Sequence, residues 1–153
     1  MSEEQFKPNT TVATVVYFKD RFLLVEEIEN GINVINQPAG HLEKDESLLQ
    51  AAKRELLEEA GIELEPQGLV GIYQSQVKGK DIQYLRFCYY AKIDAEQLPK
   101  LQPQDDDILA AHWFSFEQIK QKQLPHRSHM VQICFDDYLN GQRIPLSAVK
   151  SYL

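Results

Sequence analysis

The order of apolar and polar positions lays out the chain before any chemistry does. Residues 11 to 18, TVATVVYF, are β-branched and aromatic almost throughout and read as a buried strand. A second apolar run, KDRFLLVEEI, follows at once, so the spacing predicts a hairpin with its turn near Lys19 and Asp20. The short segment INVINQPAG then leads through Pro38 and Gly40 into a loop. GLVGIYQSQV and DIQYLRFCYYAKI read as two long strands joined by KGK, a second hairpin. LPKLQPQDDD is a polar loop, AAHWFSF a strand end, and SFEQIKQ the start of a short helix. In SHMVQICFDDYLNG, Met130, Ile133, Cys134 and Tyr138 have helical spacing, with Gly141 as the C-terminal cap. Strands outnumber helices, and the short hairpins imply a mixed, mainly antiparallel sheet in an α/β fold.

One helix has boundaries written in side-chain chemistry. Ser47 and Gln50 fit a capping box, in which each side chain satisfies an exposed backbone amide of the other residue. Gly61 stands where a left-handed cap is wanted, with Ile62 supplying the apolar contact after it. The predicted helix therefore runs from Leu48 to Ala60. On a wheel at about 100° per residue, Leu49, Ala52, Leu56 and Ala60 share an arc of roughly 80°, the core stripe. Glu55 and Glu59 flank that buried stripe, and Glu58 extends the acidic arc outward.

Composition narrows the possibilities. At 153 residues with 43% hydrophobic content, the chain fits one globular domain, residues 1 to 153. The formal charge of −7 works against binding duplex nucleic acid. A small phosphorylated ligand remains open if a metal supplies positive charge. Cys88 and Cys134 belong to no CxxC pair or zinc spacing and read as buried thiols in a reducing compartment. No apolar run approaches the length of a signal core or membrane span, so the expected location is the cytoplasm.

Charge sharpens the picture at the helix. Glu55 and Glu59 are a like-charge pair four residues apart, which costs a few tenths of a kcal/mol, roughly, in an isolated helix. Arg54 and Glu58 pair in the less favourable order, and glutamates near a helix C-terminus oppose the macrodipole. A sequence that accepts several local penalties together is meeting a functional demand. Oxygen ligands one turn apart suit a hard divalent cation, which turns the repulsion into coordination.

Gly40, Glu46, Arg54, Glu55, Leu56, Glu58, Glu59, Gly61 and Ile62 fall at the spacing G, five residues, E, seven residues, REU, any, EE, any, GU, where U is aliphatic. This is the Nudix box, and its chance occurrence at a given starting point is on the order of one in a billion. The chain thus resembles the Nudix hydrolases, which implies an α/β/α sandwich and hydrolysis of a diphosphate bond with Mg²⁺, or Mn²⁺ as the alternative. Carried over position by position, Glu55, Glu58 and Glu59 become metal ligands or water-orienting groups, with the Gly40 carbonyl as a further ligand. Arg54 would orient the glutamates, and Glu46 would steady the loop and helix. FKPNTTVATVVYF, NQPAGHLE, YLRFCYY and GQRIPL are similar to one branch of the family. Its members resemble broad nucleoside di- and triphosphatases and also act on a phosphorylated thiamine pyrimidine precursor. Ala39 departs from the pattern, since many members carry glycine just before the box.

Glu55 could serve as the general base, but the resemblance implies a carboxylate from a later loop, and there Asp107 in Asp105 to Asp107 is the first choice, against an ordinary acidic surface. Arg86 lies in an apolar strand, where an unpaired guanidinium is costly; it must meet either a substrate phosphate or a carboxylate. Asn36 and Gln37 precede the box loop as ligand contacts or loop-stabilising groups, and Tyr84 either stacks on a base or packs in its strand. The expected partner is a small phosphorylated substrate, bound by a monomer or homodimer with no membrane contact. The competing classes are a ligand-sensing module with incidental catalysis and an enzyme acting on RNA 5′ ends. The basic stretch of Lys120, Lys122, His126, Arg127 and His129 would serve the latter.

Overall fold

The computed structural model describes residues 4–153. Strand β1 (Asn9–Phe18) turns into β2 (Arg21–Glu29) through Lys19 and Asp20, whose φ angles of 42° and 65° make the two-residue turn that fits a right-twisted hairpin. The remaining elements are β3 (Ile32–Asn36), β4 (Ala39–His41), α1 (Leu48–Ala60), β5 (Gly68–Gln76), β6 (Gln83–Lys92), β7 (Ile108–Ser115), α2 (Phe116–Lys120), α3 (His129–Leu139) and β8 (Ile144–Pro145). All eight strands form one sheet, in which β1 and β6 run parallel and the other pairs antiparallel.

The alternation of side chains along β1 builds both layers of the sandwich. Val12 and Val16 face α1, packing with Ala51, Ala52, Leu56 and Ala60. Ala13 and Val15 face α3, packing with Val131, Cys134 and Phe135. Both cysteines are buried thiols within that second layer. Helix α1 has the expected bounds: Ser47 and Gln50 close the capping box, and Gly61 sits at φ 72°. A Cβ on Gly61 would also lie 2.0 Å from the Gln102 carbonyl oxygen, so glycine is demanded twice over.

The hairpin does not stay zipped. Hydrogen-bonded register between β1 and β2 is confined to Tyr17↔Phe22 and Phe18↔Arg21 beside the turn. Farther on, β2 pairs with β3 on one side and β7 on the other, while β1 pairs with β4 and β6. The sheet therefore opens into a wedge between β3 and β4. Segment 125–127 runs along β3 there: the Ile35 N–H donates to the Pro125 carbonyl and the Arg127 N–H to the Ile35 carbonyl, each at 2.9 Å. Because the opposite side of Ile35 is paired with Glu26 of β2, this segment occupies the edge of β3 turned away from β2.

Candidate active site

Helix α1 presents its carboxylates to the loop that ends in β4. Glu55 and Glu59 are 8% and 6% exposed, buried beside Ala52, Leu56 and Ala60 as their position on the wheel requires. The Ala39 N–H donates to Glu59 Oε1 at 2.7 Å, joining helix to loop. Gly40 is the point of closest approach: a Cβ there would stand 2.1 Å from Glu55 Oε1.

Arg54 organises the outer half of the cluster. Its Nε and Nη2 donate to Glu46 at 2.6 and 3.0 Å, its Nη1 to Glu55 at 2.7 Å and Glu58 at 3.3 Å, and Nη2 also to the His41 carbonyl at 3.0 Å. The carboxylates thus gather around a guanidinium, and among the described residues no three acidic, histidine or cysteine side chains converge on one point in metal-binding array. Glu59 stands apart, since no basic side chain among the described residues pairs with it.

Electrostatics follow from burial. Desolvation pushes the Glu59 carboxyl up to about 9, against the opposing bond from Ala39, with Glu55, Glu27 and Asp105 adding repulsion. Glu55 is also raised, first by burial, although Arg54 pulls it the other way. Glu46 is held low by Arg54. Buried carboxyl groups that resist ionisation beside one another fit a divalent cation, because the charge that each ionised form lacks is what such an ion supplies.

Two of the acidic groups acting on Glu59 come from outside the box. The Gln104 and Asp105 N–H groups both donate to the Glu58 carbonyl at 2.8 Å, and Gln102 N–H to the Ala60 carbonyl at 2.8 Å. The polar loop thereby caps the free carbonyls at the α1 C-terminus and carries Asp105 toward the glutamates. Glu27 sits on β2 at a register shift in its pairing with β7. Asp107 is exposed, lining a cleft of about 450 Å³ with Glu27, Ile28, Asp106, Leu109 and Arg127. Sequence reading singled out neither Glu27 nor Asp105, because both approaches are made through tertiary pairing.

The other candidates divide. Arg86 is 6% exposed and meets no carboxylate among the described residues: its Nη2 donates to Asn36 Oδ1 at 3.0 Å, and its Nη1 contacts Cys134 Sγ at 3.8 Å. Gln37 is fully buried; its Nε2 donates to the Val131 carbonyl at 2.8 Å while its Oε1 has no partner among the described residues. Tyr84 is half-buried with its ring 6.3 Å from that of His41. The basic C-terminal stretch is not one patch, since Arg127 pairs with Glu27 and Glu29 while Lys120 lies beside Glu117.

A glycine-loop-helix unit with buried glutamates, set at an opened mixed sheet, defines an enzyme that hydrolyses phosphoanhydride bonds. The chain belongs to the Nudix family: the NUDIX domain model matches residues 7–134. It is 44% identical over 147 residues to Phosphatase NudJ of Escherichia coli strain K12, covering 96% of this chain and 94% of the relative. The Phosphatase NudJ of Shigella flexneri matches equally, at 44% over the same 147 residues. The structure of a NUDIX hydrolase from Nitrosomonas europaea superposes with a TM-score of 0.86 at 42% identity, covering 95% of this chain and 98% of that one. The NUDIX domain of Shewanella oneidensis NrtR, solved with ADP ribose, shares the fold at a TM-score of 0.73 and 18% identity over 88% of this chain and 90% of its own. Among the described residues, no helix is long and apolar enough to cross a membrane.

Proposed function

We propose that this chain is a divalent-metal-dependent hydrolase of the diphosphate bond in nucleoside di- and triphosphates or related small diphosphates, the thiamine pyrimidine precursor diphosphate included. The observation that carries this reading is the burial of Glu55 and Glu59 side by side, with no basic partner for Glu59 among the described residues. A binding-only module has no need of that arrangement. The 44% identity to Phosphatase NudJ supports the phosphatase class.

A cation held by Glu55, Glu58, Glu59 and the Gly40 carbonyl, Mg²⁺ or Mn²⁺, would supply charge to offset substrate phosphate and to activate water. The protein's own part is positioning. Ala39 N–H aims Glu59, and Arg54 fixes Glu46, Glu55 and Glu58 relative to the His41 backbone. Gly40 leaves room for the Glu55 carboxylate. The loop Asp105 to Asp107 is the source of the proton acceptor; Asp107 opens on the cleft, but Asp105 is favoured because its charge reaches both Glu55 and Glu59. Arg86, whose partners among the described residues are Asn36 and Cys134 and no carboxylate, offers positive charge to an anionic substrate. Gln37 and Tyr84 are the remaining substrate contacts in this reading. We further propose cytoplasmic action as a monomer or homodimer.

The deciding experiment measures phosphate and pyrophosphate released from nucleoside di- and triphosphates, nucleotide sugars, dinucleoside polyphosphates and the thiamine pyrimidine diphosphate. Wild type and Glu59→Gln are compared with Mg²⁺ and with chelator. Release that vanishes in both chelator and variant is the expected result. Release that persists in chelator would overturn the reading.

A further inference from the structure

Arg54, Arg86 and Arg127 differ in their surroundings. Each guanidinium nitrogen of Arg54 is already bonded to the box. Arg86 is buried beneath Asn36 and Cys134. Arg127 alone of the three has a substantially exposed side chain, 42%, and it is the one basic residue lining the cleft beside Asp106, Asp107 and Glu27. Its backbone is pinned: the bond from its N–H to the Ile35 carbonyl fixes it on the wedge side of β3. Four residues beyond Ile35, the Ala39 N–H binds Glu59. The end of β3 and the two residues that follow it thus link the segment carrying Arg127 to the backbone that binds Glu59.

Its present partners are exchangeable. Nη1 donates to Glu27 at 2.7 Å, and Nε lies 2.9 Å from Glu29 Oε2. Nη2 makes no hydrogen bond to another described residue. The pair with Glu29, whose side chains are both about 40% exposed, contributes little to stability, and the planar fork of a guanidinium matches phosphoryl oxygens better than two separate carboxylates.

We propose that Arg127 is a substrate-binding residue that takes phosphoryl oxygens of the substrate facing away from the glutamates, with Glu27 and Glu29 holding the guanidinium in place until substrate arrives. The proposal rests on the reading of this site as a phosphoanhydride hydrolase. It gives a cationic anchor to a cleft whose other charged lining residues, Glu27, Asp106 and Asp107, repel phosphate.

The test uses Arg127→Ala and Arg127→Gln in the full chain, the latter keeping a polar, hydrogen-bonding side chain without the charge. Affinity for the non-cleavable adenosine 5′-(α,β-methylene)diphosphate with Mg²⁺ is measured by calorimetry, alongside steady-state KM and kcat. Both variants are expected to bind the probe and the substrate at least about tenfold more weakly, with kcat within about threefold, measured at a temperature where each variant is folded. Wild-type affinity and KM in either folded variant, or no binding of the probe by the wild type, would overturn the proposal. Weakened probe binding with a wild type that hydrolyses nothing would keep Arg127 as an anion contact and remove the hydrolase reading. Wild-type hydrolysis with unaltered variants would do the reverse.

Discussion

The Ala39 N–H reaches Glu59 Oε1 at 2.7 Å across the gap between β4 and α1. That bond holds a deeply buried carboxyl in a fixed orientation and favours its ionised form, yet desolvation outweighs it and leaves the group at about 9. The site is thus assembled ahead of its charge.

A dependence on pH follows. Glu59 ionises in the unfolded chain near its ordinary value of 4.5 but in the folded chain only near 9, so its contribution to stability is complete below 4.5 and is lost as pH rises through 9. In chelator, the thermal midpoint of the wild type should fall by roughly 5–10 °C between pH 5 and pH 8 relative to that of Glu59→Gln. Mg²⁺ should restore it most at the higher pH and release protons on binding, seen as a buffer-dependent heat. Parallel pH profiles for the two proteins in chelator would refute this account.

Gly40→Ala should uncouple stability from activity. The added methyl would meet the end of a flexible side chain, Glu55, which can swing aside. The expected loss is at least about 100-fold in kcat/KM, because the displaced carboxylate is misaimed, with a stability change under about 1 kcal/mol. Near-normal turnover in this variant would remove Glu55 from the machinery.

Replacing the acidic loop residues singly ranks the two candidate proton acceptors. Asp105→Asn should lower kcat by about tenfold or more, whereas Asp107→Asn should stay within about threefold. The reverse order would reinstate Asp107.

Arg86→Ala should destabilise the fold by about 2–4 kcal/mol, since it leaves a cavity and strands the Asn36 side chain. If Arg86 also meets substrate, KM rises by about tenfold or more beyond what unfolding explains, and Arg86→Lys restores stability better than KM. A change confined to the melting curve would assign it to structure alone.

What could be read in the sequence was what local chemistry encodes. Helix α1 has the expected ends because Ser47, Gln50 and Gly61 act within a few residues of themselves. Its buried glutamates were visible because a wheel needs no tertiary contacts. The first hairpin was legible for the same reason, whereas the parting of β1 from β2 beyond Tyr17 was not, since it depends on which strands insert. Asp105 arrives through backbone bonds to the Glu58 carbonyl, and Arg127 through a bond to Ile35. Neither approach leaves a mark in spacing. Arg86 sits buried in its apolar strand, but its partners Asn36 and Cys134 come from β3 and α3 and had no local sign.

The bond from Gln37 to the Val131 carbonyl spans 94 residues, and the pairing of Ile35 with 125–127 closes a loop of similar length. The loop carrying Gly40 therefore receives its last supports only when the C-terminal third of the chain has docked. During synthesis the catalytic helix can form well before its neighbourhood is complete, and a chain halted before residue 125 would carry the whole box without the struts of β3. Transient opening of α3 in the mature protein would loosen those same supports from a distance, so the lifetime of the active arrangement is set as much by the end of the chain as by the motif near its start.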